Sequence, residues 1–332
     1  MPVDVVVVGQ VARDLVLTVA DVPGAGEQAA VRRRYELLGG KGANQAVGLA
    51  QLGMSVTLVG VVGADRVGTD LMEQAGLDGV DTASVVRREG TETALIVNVV
   101  DSRGHWHYLE HIPEATLVTG PDVVAAGAAI AAAESLVVQL RQPADVALEA
   151  ARLARAGGTR VVLDGAPSGD EYSREPLLAA ADVLRADARE GELLAGRSIA
   201  TVRDAILGAH AIRERGPELV VLEVAGSGNV FVDAERELFL PHTRRSGAGT
   251  GDTTGGGDAL VAGLTATLTS GGELAEAARL AVAAAGATVE RVGGRPDLGP
   301  ATLRPHLDQL PHPPTGGAPN ETAGETGRAA RR

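Results

Sequence analysis

The chain contains the glycine-rich run Gly251-Asp252-Thr253-Thr254-Gly255-Gly256-Gly257-Asp258, and an apolar segment over residues 259–268 follows it directly. Four apolar residues of that segment recur at helical spacing, namely Leu260, Val261, Leu264 and Leu268. The spacing places Asp258 in the first turn of a helix. Consecutive glycines cost backbone entropy, but they let bare N–H groups at the positive end of a helix dipole approach an anion closely. The run therefore predicts a phosphate site.

Asp258 adds a carboxylate to this predicted anion site, and phosphate binding alone does not need one. A carboxylate there can accept a hydroxyl proton while the N–H groups of Gly255, Gly256 and Gly257 hold the phosphoryl group under attack. The alternative is a flexible glycine turn followed by an ordinary helix cap, because Asp is a common N-cap residue. The run is not a Walker A loop, since no Gly-Lys-Ser/Thr follows it.

A second run also leads from glycines into a helix: Gly39-Gly40-Lys41-Gly42-Ala43-Asn44-Gln45-Ala46. Together the two runs resemble the two signature motifs of the ribokinase-like carbohydrate kinases, the PfkB family. The second run is most similar to the ribokinase branch of that family. The resemblance extends from about Val3 to about Leu298. One departure is Gly256, where family members usually carry Ala.

Composition narrows the functional classes. A chain of 332 residues can bury the core of a large α/β domain, and without cysteine it has no disulfide, no cysteine-ligated metal and no thiol nucleophile. The formal net charge of −13 argues against nucleic acid or an anionic membrane surface as a partner. No apolar run approaches the roughly 20 residues of a membrane span, and residues 1–9 lack the features of a signal peptide. We therefore expect a cytoplasmic protein.

The order of strands and helices indicates an α/β fold. Val3–Val8 and Val56–Val62 are continuous β-branched runs, typical of parallel strands buried on both faces. From Asp122 onward strands alternate with helices, the first helix being expected over Val123–Ala133. The pattern predicts a three-layer, doubly wound, mostly parallel sheet with ligands at the carboxyl ends of its strands.

Parts of 11–40 and 93–111 do not fit this repeat, because they read as hairpin strands with one wet face. We predict that they form a small β-sheet lid, as the resemblance also implies, within a single domain over residues 1–310. A homodimer formed through the lid sheet is a further expectation. Residues 311–332 are rich in proline, glycine and polar residues, and this composition predicts a disordered tail.

The resemblance implies a sugar site built from Asp14, Gly40, Lys41 and Asn44. Carboxylate and amide oxygens suit this role because they accept hydrogen bonds from sugar hydroxyls. A simpler interpretation exists for two of these residues. Asp14 could be a solvated turn residue, and Lys41 could face solvent at a helix start.

Arg141 follows the predicted strand Leu136–Leu140, at a position where the resemblance implies a glutamate that holds the sugar. Replacing an acceptor by a cation with five donors changes what can bind. Two interpretations stay open: Arg141 turns away from the sugar, or the substrate carries an anionic group. For pairing within the protein, we expect a carboxylate such as Asp14 or Asp164 as the partner.

Asp187 and Glu190 resemble the family's Asn-x-x-Glu motif, which organises Mg²⁺ and phosphate through water. The alternative is an acidic helix start stabilised by the helix dipole. By the same resemblance, nucleotide-binding residues are Asp187, Glu223, Gly226 and Gly228. A site for a monovalent cation such as K⁺ would comprise Asp252, Thr254, Gly294 and Asp297.

The resemblance implies an enzyme that transfers phosphate from ATP to a primary hydroxyl of a small sugar, either ribose or a related sugar, with acidic sugars included. A nucleoside kinase on the same fold is the alternative enzyme, with Trp106 and Tyr108 as candidates for a base pocket. A catalytically silent sugar or nucleotide sensor is the alternative from another class. The resemblance implies Asn at position 12, beside Asp14, and Thr at position 223, whereas this chain has Ala12 and Glu223. These two departures and Arg141 favour a sensor, whereas Asp258 argues against one.

Overall fold

The computed structural model describes residues 3–167, 171–244 and 253–311. Its strands, numbered in chain order, are β1 Val5–Val8, β2 Ala12–Thr18, β3 Arg33–Gly39, β4 Val56–Gly63, β5 Val80–Asp81, β6 Val85–Arg88, β7 Leu95–Val100, β8 Trp106–His111, β9 Ser135–Gln139, β10 Arg160–Asp164, β11 Val183–Ala186, β12 Leu219–Val224, β13 Gly228–Val232 and β14 Glu237–Pro241.

The helices are α1 Lys41–Gln51, α2 Arg66–Leu77, α3 Gly120–Ala125, α4 Gly127–Ala132, α5 Ala144–Gly157, α6 Glu171–Ala180, α7 Ala188–Ala195, α8 Val202–Arg213, α9 Gly256–Thr269, α10 Leu274–Thr288 and α11 Pro300–Leu307, with a short 3₁₀ turn at Glu114–Thr116. No helix in the described ranges has both the length and the apolar character needed to cross a membrane.

A ten-stranded sheet in the order β14-β13-β12-β11-β10-β9-β1-β4-β5, with β6 also paired to β4, forms the central layer. Its strands are parallel except for the antiparallel pairs β12–β13 and β13–β14. Side chains of β1 alternate between two cores: Val5 and Val7 pack with α1, α9 and α10, whereas Val6 and Val8 pack with α4 and α5. Helices therefore cover both faces, and the predicted three-layer fold is confirmed.

Sequence analysis missed or misplaced several elements. The single helix expected over Val123–Ala133 is wrong, because the chain forms two short helices there that meet at Ala126. Strands β5 and β6 and helices α8 and α11 were not predicted. Helix α8 had a usable signal, since Thr201 and Asp204 form a reciprocal capping box at its start.

A separate four-stranded sheet in the order β3-β2-β7-β8 forms the predicted lid. In β2, Asp14 and Val16 are buried while Leu15 and Leu17 are half-exposed, so the carboxylate faces inward and the leucines face outward. The register places Asp14 beside Ile96 and Val16 beside Asn98. The inner face of the lid thus carries the polar residues Asp14 and Asn98 among apolar ones, and the outer face exposes Leu15 and Leu17. Most of the expected tail, from residue 312 onward, lies outside the described residues, as does Asp252.

Candidate active site

Helices α1 and α9 both begin beside the carboxyl end of β1, and each start depends on a glycine. Gly40 precedes α1 with φ 86°, and Gly255 precedes α9 with φ 73°. These left-handed values favour glycine because a Cβ would clash with the backbone. A Cβ on Gly42 would lie 2.6 Å from the backbone of Gly9, so α1 approaches the end of β1 as closely as a bare backbone permits.

Asp258 lies buried in the first turn of α9, as predicted, and contacts two amides of α1. Asn44 Nδ2 donates a hydrogen bond of 3.1 Å to Asp258 Oδ2, and Gln45 Nε2 lies 3.4 Å from Asp258 Oδ1. These contacts join residues more than 200 positions apart in sequence. The two glycine-rich motifs therefore meet at a single carboxylate.

Charges around Asp258 act on its pKa in opposite directions. Burial raises the pKa of Asp258 to about 6, with Asp164 acting in the same sense and Lys41 opposing it. Burial lowers the pKa of Lys41, but the carboxylates of Asp164 and Asp258 outweigh that effect, so its pKa is raised. Lys41 is thus a cation held among acids, and its charge opposes the rise in the pKa of Asp258.

A buried ion pair beside this carboxylate was missed by sequence analysis. Arg185 Nη1 donates to Asp164 Oδ1 at 3.1 Å, and Gln45 Nε2 donates to Asp164 Oδ2 at 2.7 Å. Arg185 and Asp164 stand in neighbouring parallel strands, with Asp164 directly opposite Arg185 in the register. A charged residue inside the otherwise apolar strand β11 was the signal that could have identified it.

Each glycine of the predicted anion hole excludes a side chain for a different reason. A Cβ on Gly255 would overlap the carbonyl oxygen of Gly294, and one on Gly256 would lie 2.9 Å from Val289 Cγ1. A Cβ on Gly257 would lie 2.6 Å from Arg185 Nη1. Val289 therefore gives a physical reason for glycine, rather than alanine, at position 256.

The predicted sugar-binding residues lie where the lid meets α1. A Cβ on Gly39 would overlap the carboxyl group of Asp14, so this buried carboxylate lies directly over the backbone that leads into α1. The N–H of Asn44 donates to the Gly40 carbonyl at 2.9 Å. Asp14 is therefore not a solvated turn residue, and it borders the same region as Lys41 and Asn44.

Arg141 follows β9 and reaches the lid. Its Nη1 lies 3.1 Å from Glu110 Oε1 and 3.3 Å from Glu110 Oε2, and just over half of the Arg141 side chain is exposed. The expectation of Asp14 or Asp164 as its partner is wrong, because Asp164 pairs with Arg185 and the lid supplies Glu110 instead.

Asp187 and Glu190 form the start of α7. The Glu190 N–H donates to Asp187 Oδ1 at 2.8 Å, and the Asp187 N–H donates to Glu190 Oε2 at 2.9 Å. The second oxygen of Glu190 lies beside Gly165, just beyond β10. Burial and then Asp164 raise the pKa of Glu190. The pair is a helix cap that also keeps carboxylate oxygens at the carboxyl edge of the sheet.

Comparison with known proteins now identifies the family. A family model described as "pfkB family carbohydrate kinase" matches residues 3–299. The chain belongs to the pfkB family of carbohydrate kinases. The predicted family and the predicted class of enzyme, an ATP-dependent carbohydrate kinase, are confirmed at this level.

Two relatives and one solved structure illustrate the likeness. This pfkB kinase is 28% identical to ribokinase of Haemophilus influenzae over 313 residues, covering 92% of this chain and 98% of that protein. It is 32% identical to 1-phosphofructokinase of Rhodobacter capsulatus over 264 residues, covering 74% and 77%. Its fold matches the structure of Arabidopsis thaliana ribokinase complexed with ribose and ATP at a TM-score of 0.77 and 24% identity, covering 92% and 99%.

Three of the four predicted nucleotide-binding residues of this pfkB kinase lie along the β12–β13 hairpin, and the fourth, Asp187, caps the start of α7. Gly226 occupies the turn with φ 69°, and Gly228 pairs with Pro241 where a Cβ would overlap the Leu240 carbonyl. Glu223 lies 3.9 Å from Arg185 Nη2 and 3.9 Å from His242 Nε2. The glycines are thus explained by the hairpin, and Glu223 joins the electrostatic surroundings of Arg185.

Three of the residues predicted for a monovalent cation are described. Gly294, with φ 63°, packs against Thr254, and its carbonyl oxygen abuts Gly255. Asp297 forms an ion pair with Arg291. The structure therefore brings Thr254 and Gly294 to the start of α9, while the carboxylate of Asp297 already has a cationic partner.

Proposed function

We propose that this pfkB kinase transfers the γ-phosphoryl group of ATP to a primary hydroxyl of a small sugar, either ribose or a related sugar, with acidic sugars included. Asp258 carries the proposal. It is a buried carboxylate with a pKa of about 6 in the first turn of α9, next to three glycines that exclude side chains. The lid residue Asp14, with Gly40, Lys41 and Asn44 of α1 and its cap, would hold the sugar.

The reaction follows from this arrangement. The sugar hydroxyl oxygen forms a bond to the γ-phosphorus, the bond from that phosphorus to the β–γ bridging oxygen breaks, and ADP leaves. Asp258 accepts the hydroxyl proton, and Asn44 holds the carboxylate in place. N–H groups at the start of α9 would receive the phosphoryl oxygens. Because phosphoryl transfer has a loose transition state, positioning and charge neutralisation supply most of the rate.

Asp187 and Glu190, at the carboxyl edge of the sheet, suit a magnesium ion that would bind together with the nucleotide. Mg²⁺ prefers oxygen ligands, keeps several waters and takes only one or two carboxylates together with phosphates. Glu190 and Asp187 each use one oxygen in the α7 cap and retain another. In the described part of the chain no three acidic or imidazole groups form a complete metal site. Mg²⁺ would neutralise phosphate charge, held through water by Glu190 and Asp187. A K⁺ site at Thr254 and Gly294 stays a prediction.

The function is tested by ADP release from purified protein with pentoses, hexoses, sugar acids and nucleosides. We expect Asp258→Asn to lower kcat by roughly 10²–10⁴ with the best substrate, the range for loss of a general base, while ATP affinity changes little. Asp70→Asn, which alters an exposed pair with Arg66, is the matched control. Wild-type turnover by folded Asp258→Asn would remove Asp258 from the mechanism. Thermal stabilisation by ATP and sugar without ADP release would indicate a sensor.

A nucleoside acceptor is the second candidate. Trp106 and Tyr108 stack on β8 with ring centroids 4.8 Å apart and planes inclined by 51°. Because side chains alternate along a strand, Trp106 and Tyr108 lie on the same face of β8 as Glu110. Glu110 contacts Arg141 at the edge of the main sheet. Such a pair can flank a purine or pyrimidine ring. If nucleosides are substrates, Trp106→Ala should lower kcat/KM for nucleosides and leave that for free sugars unchanged.

A further inference from the structure

Arg185 is a buried charged residue to which the proposed mechanism has so far given no role. Only 6% of its side chain is exposed, although arginine is among the residues least often buried. Burial first lowers the pKa of Arg185, but the carboxylates of Asp164, Glu190 and Glu223 outweigh it and keep the group charged. A buried, permanently charged group needs partners for its donors.

The described residues provide hydrogen-bond acceptors for only some of the N–H donors of this guanidinium. Nη1 donates to Asp164 at 3.1 Å, whereas Nη2 lies 3.9 Å from Glu223, which exceeds a hydrogen-bond distance. Nε is buried and has no hydrogen-bond partner in the described ranges. Arginine presents five N–H donors in a rigid fork that matches the geometry of a phosphate. Donors therefore remain for an anionic ligand.

The position of these donors indicates which anion they serve. Nη1, Nη2 and Cζ of Arg185 lie 2.6, 2.8 and 2.9 Å from the point that a Cβ on Gly257 would occupy. Gly257 is the second residue of α9, one position before Asp258. The guanidinium thus lies against the helix start that the proposed function assigns to the transferring phosphoryl group, and Gly257 makes room for it.

We propose that Arg185 is a further catalytic residue, an arginine built into the sheet that donates hydrogen bonds to non-bridging oxygens of the transferring phosphoryl group. The inference rests on the proposed site at Gly255–Asp258. Arg185 forms and breaks no covalent bond: the sugar oxygen still gains the phosphorus, ADP still leaves and the proton still goes to Asp258. The guanidinium stabilises the charge that spreads over the phosphoryl oxygens in the transition state.

The competing explanation is that Arg185 only neutralises Asp164. A set of variants separates the two roles: Arg185→Gln, Asp164→Asn, and the double variant that removes both charges. If Arg185 contacts the phosphoryl group, we expect kcat to fall by roughly 10²–10³ in Arg185→Gln, the loss seen on removal of one preorganised donor. The double variant should stay slow. Recovery of wild-type kcat in the double variant would overturn the proposal.

A binding measurement gives a second readout. Wild-type protein should gain more thermal stability from ADP, aluminium fluoride and sugar together than from ADP and sugar alone, because the fluoride complex mimics the planar phosphoryl group. Arg185→Gln should lose this additional gain and keep the smaller one. An undiminished gain in Arg185→Gln would also overturn the proposal.

Two controls make the result interpretable. Arg160→Gln alters a part-buried arginine at the other end of β10, where Nη1 donates to the Leu268 carbonyl, and should leave kcat unchanged. If Arg185→Gln does not fold, the double variant and Arg185→Lys, which keep the local charge balanced, carry the test. Full activity in Asp258→Asn contradicts the proposed function itself. A slow Asp258→Asn beside a fast Arg185→Gln contradicts only the role of Arg185.

Discussion

At the scale of single residues, Lys41 is the group that most opposes the burial-raised pKa of Asp258. It is the only lysine in the chain, which otherwise uses arginine for its cations. An ammonium is a compact point charge, whereas a guanidinium is a planar fork. The Lys41 ammonium, at the start of α1, therefore interacts with the carboxylates of both Asp164 and Asp258. The Arg185 guanidinium is a second cation in the same group of charges.

The pH dependence of activity should report this arrangement. A general base works only when deprotonated, so kcat/KM should be constant at neutral pH and fall as the pH decreases through about 6, the pKa of Asp258. In Lys41→Met the neighbouring cation is gone, the carboxylate loses stabilisation, and the acidic limb should move to higher pH. A pH–rate profile of both proteins measures the shift.

The single lysine supplies a direct control. Labelling with ¹³Cε-lysine gives one signal, whose titration measures the pKa of Lys41. Asp258→Asn removes one carboxylate that raises this pKa, so the titration should move to lower pH. An acidic limb unchanged in Lys41→Met, or a Lys41 titration unchanged in Asp258→Asn, would show that the two groups do not interact.

Arg141 should influence which sugar is preferred. Its ion pair with Glu110 is exposed, so the guanidinium remains accessible to an anionic substrate group and supplies no acceptor for a hydroxyl. We expect acidic sugars to have a higher kcat/KM than ribose, and Arg141→Glu to reduce that preference. Glu110→Gln, which frees Arg141 without removing it, is the matched control. Ribose as the best substrate, unaffected by Arg141→Glu, would contradict this expectation.

At the scale of elements, the start of α9 packs closely against the end of α10. A Cβ on Gly256 would lie 2.9 Å from Val289 Cγ1, at the end of α10, so a side chain at position 256 requires Val289 or the helix start to shift. Packed interiors resist such displacement. The position of the predicted anion hole therefore depends on helix–helix packing as well as on local glycine conformation.

Gly256→Val should displace the N–H groups at the start of α9. We expect kcat to fall by at least roughly 10²–10³, as when one anion-hole donor is lost. Gly76→Ala is the control, because Gly76 lies in α2 with open space around its Cα, where alanine should raise stability by about 0.4–1 kcal/mol. Steady-state kinetics and thermal melts measure both. A folded, fully active Gly256→Val protein would argue against a phosphate site there.

At the scale of the whole molecule, the outer surface of the lid is more apolar than that of an ordinary solvent-facing sheet. Its centre consists of half-exposed or exposed apolar side chains, namely Leu15, Leu17, Leu95, Val97, Val99 and Leu109. The solvent-facing side of a sheet usually carries polar residues. A contiguous apolar patch of this kind is typical of a protein–protein interface.

We predict that this surface joins two copies of the chain, because burying the patch would remove apolar side chains from water. Replacing Val97 and Leu109 by lysine would place two charges in the interface and should convert a dimer into a monomer in sedimentation equilibrium. Leu77→Lys, at a highly exposed leucine ending α2, is the control and should remain dimeric. A monomeric wild-type protein would contradict the expectation.

The sequence by itself determined the layered α/β fold, the lid and the place of Asp258, because each depends on local patterns. Continuous valine runs make buried strands, and glycines before an apolar segment make a helix start that can bind an anion. Departures from the pattern were visible too, since Arg141 and Gly256 could be identified as unusual, but their partners Glu110 and Val289 could not.

Only the tertiary structure decided the electrostatics of the site. Asp258, Lys41, Asp164 and Arg185 belong to four separate elements, and they meet because parallel strands end at one edge of the sheet where α1 and α9 begin. Burial and the distances between charges set a pKa, and neither exists until the chain has folded. The pairing of Arg185 with Asp164 depends on the register of β10 and β11, which no local pattern specifies.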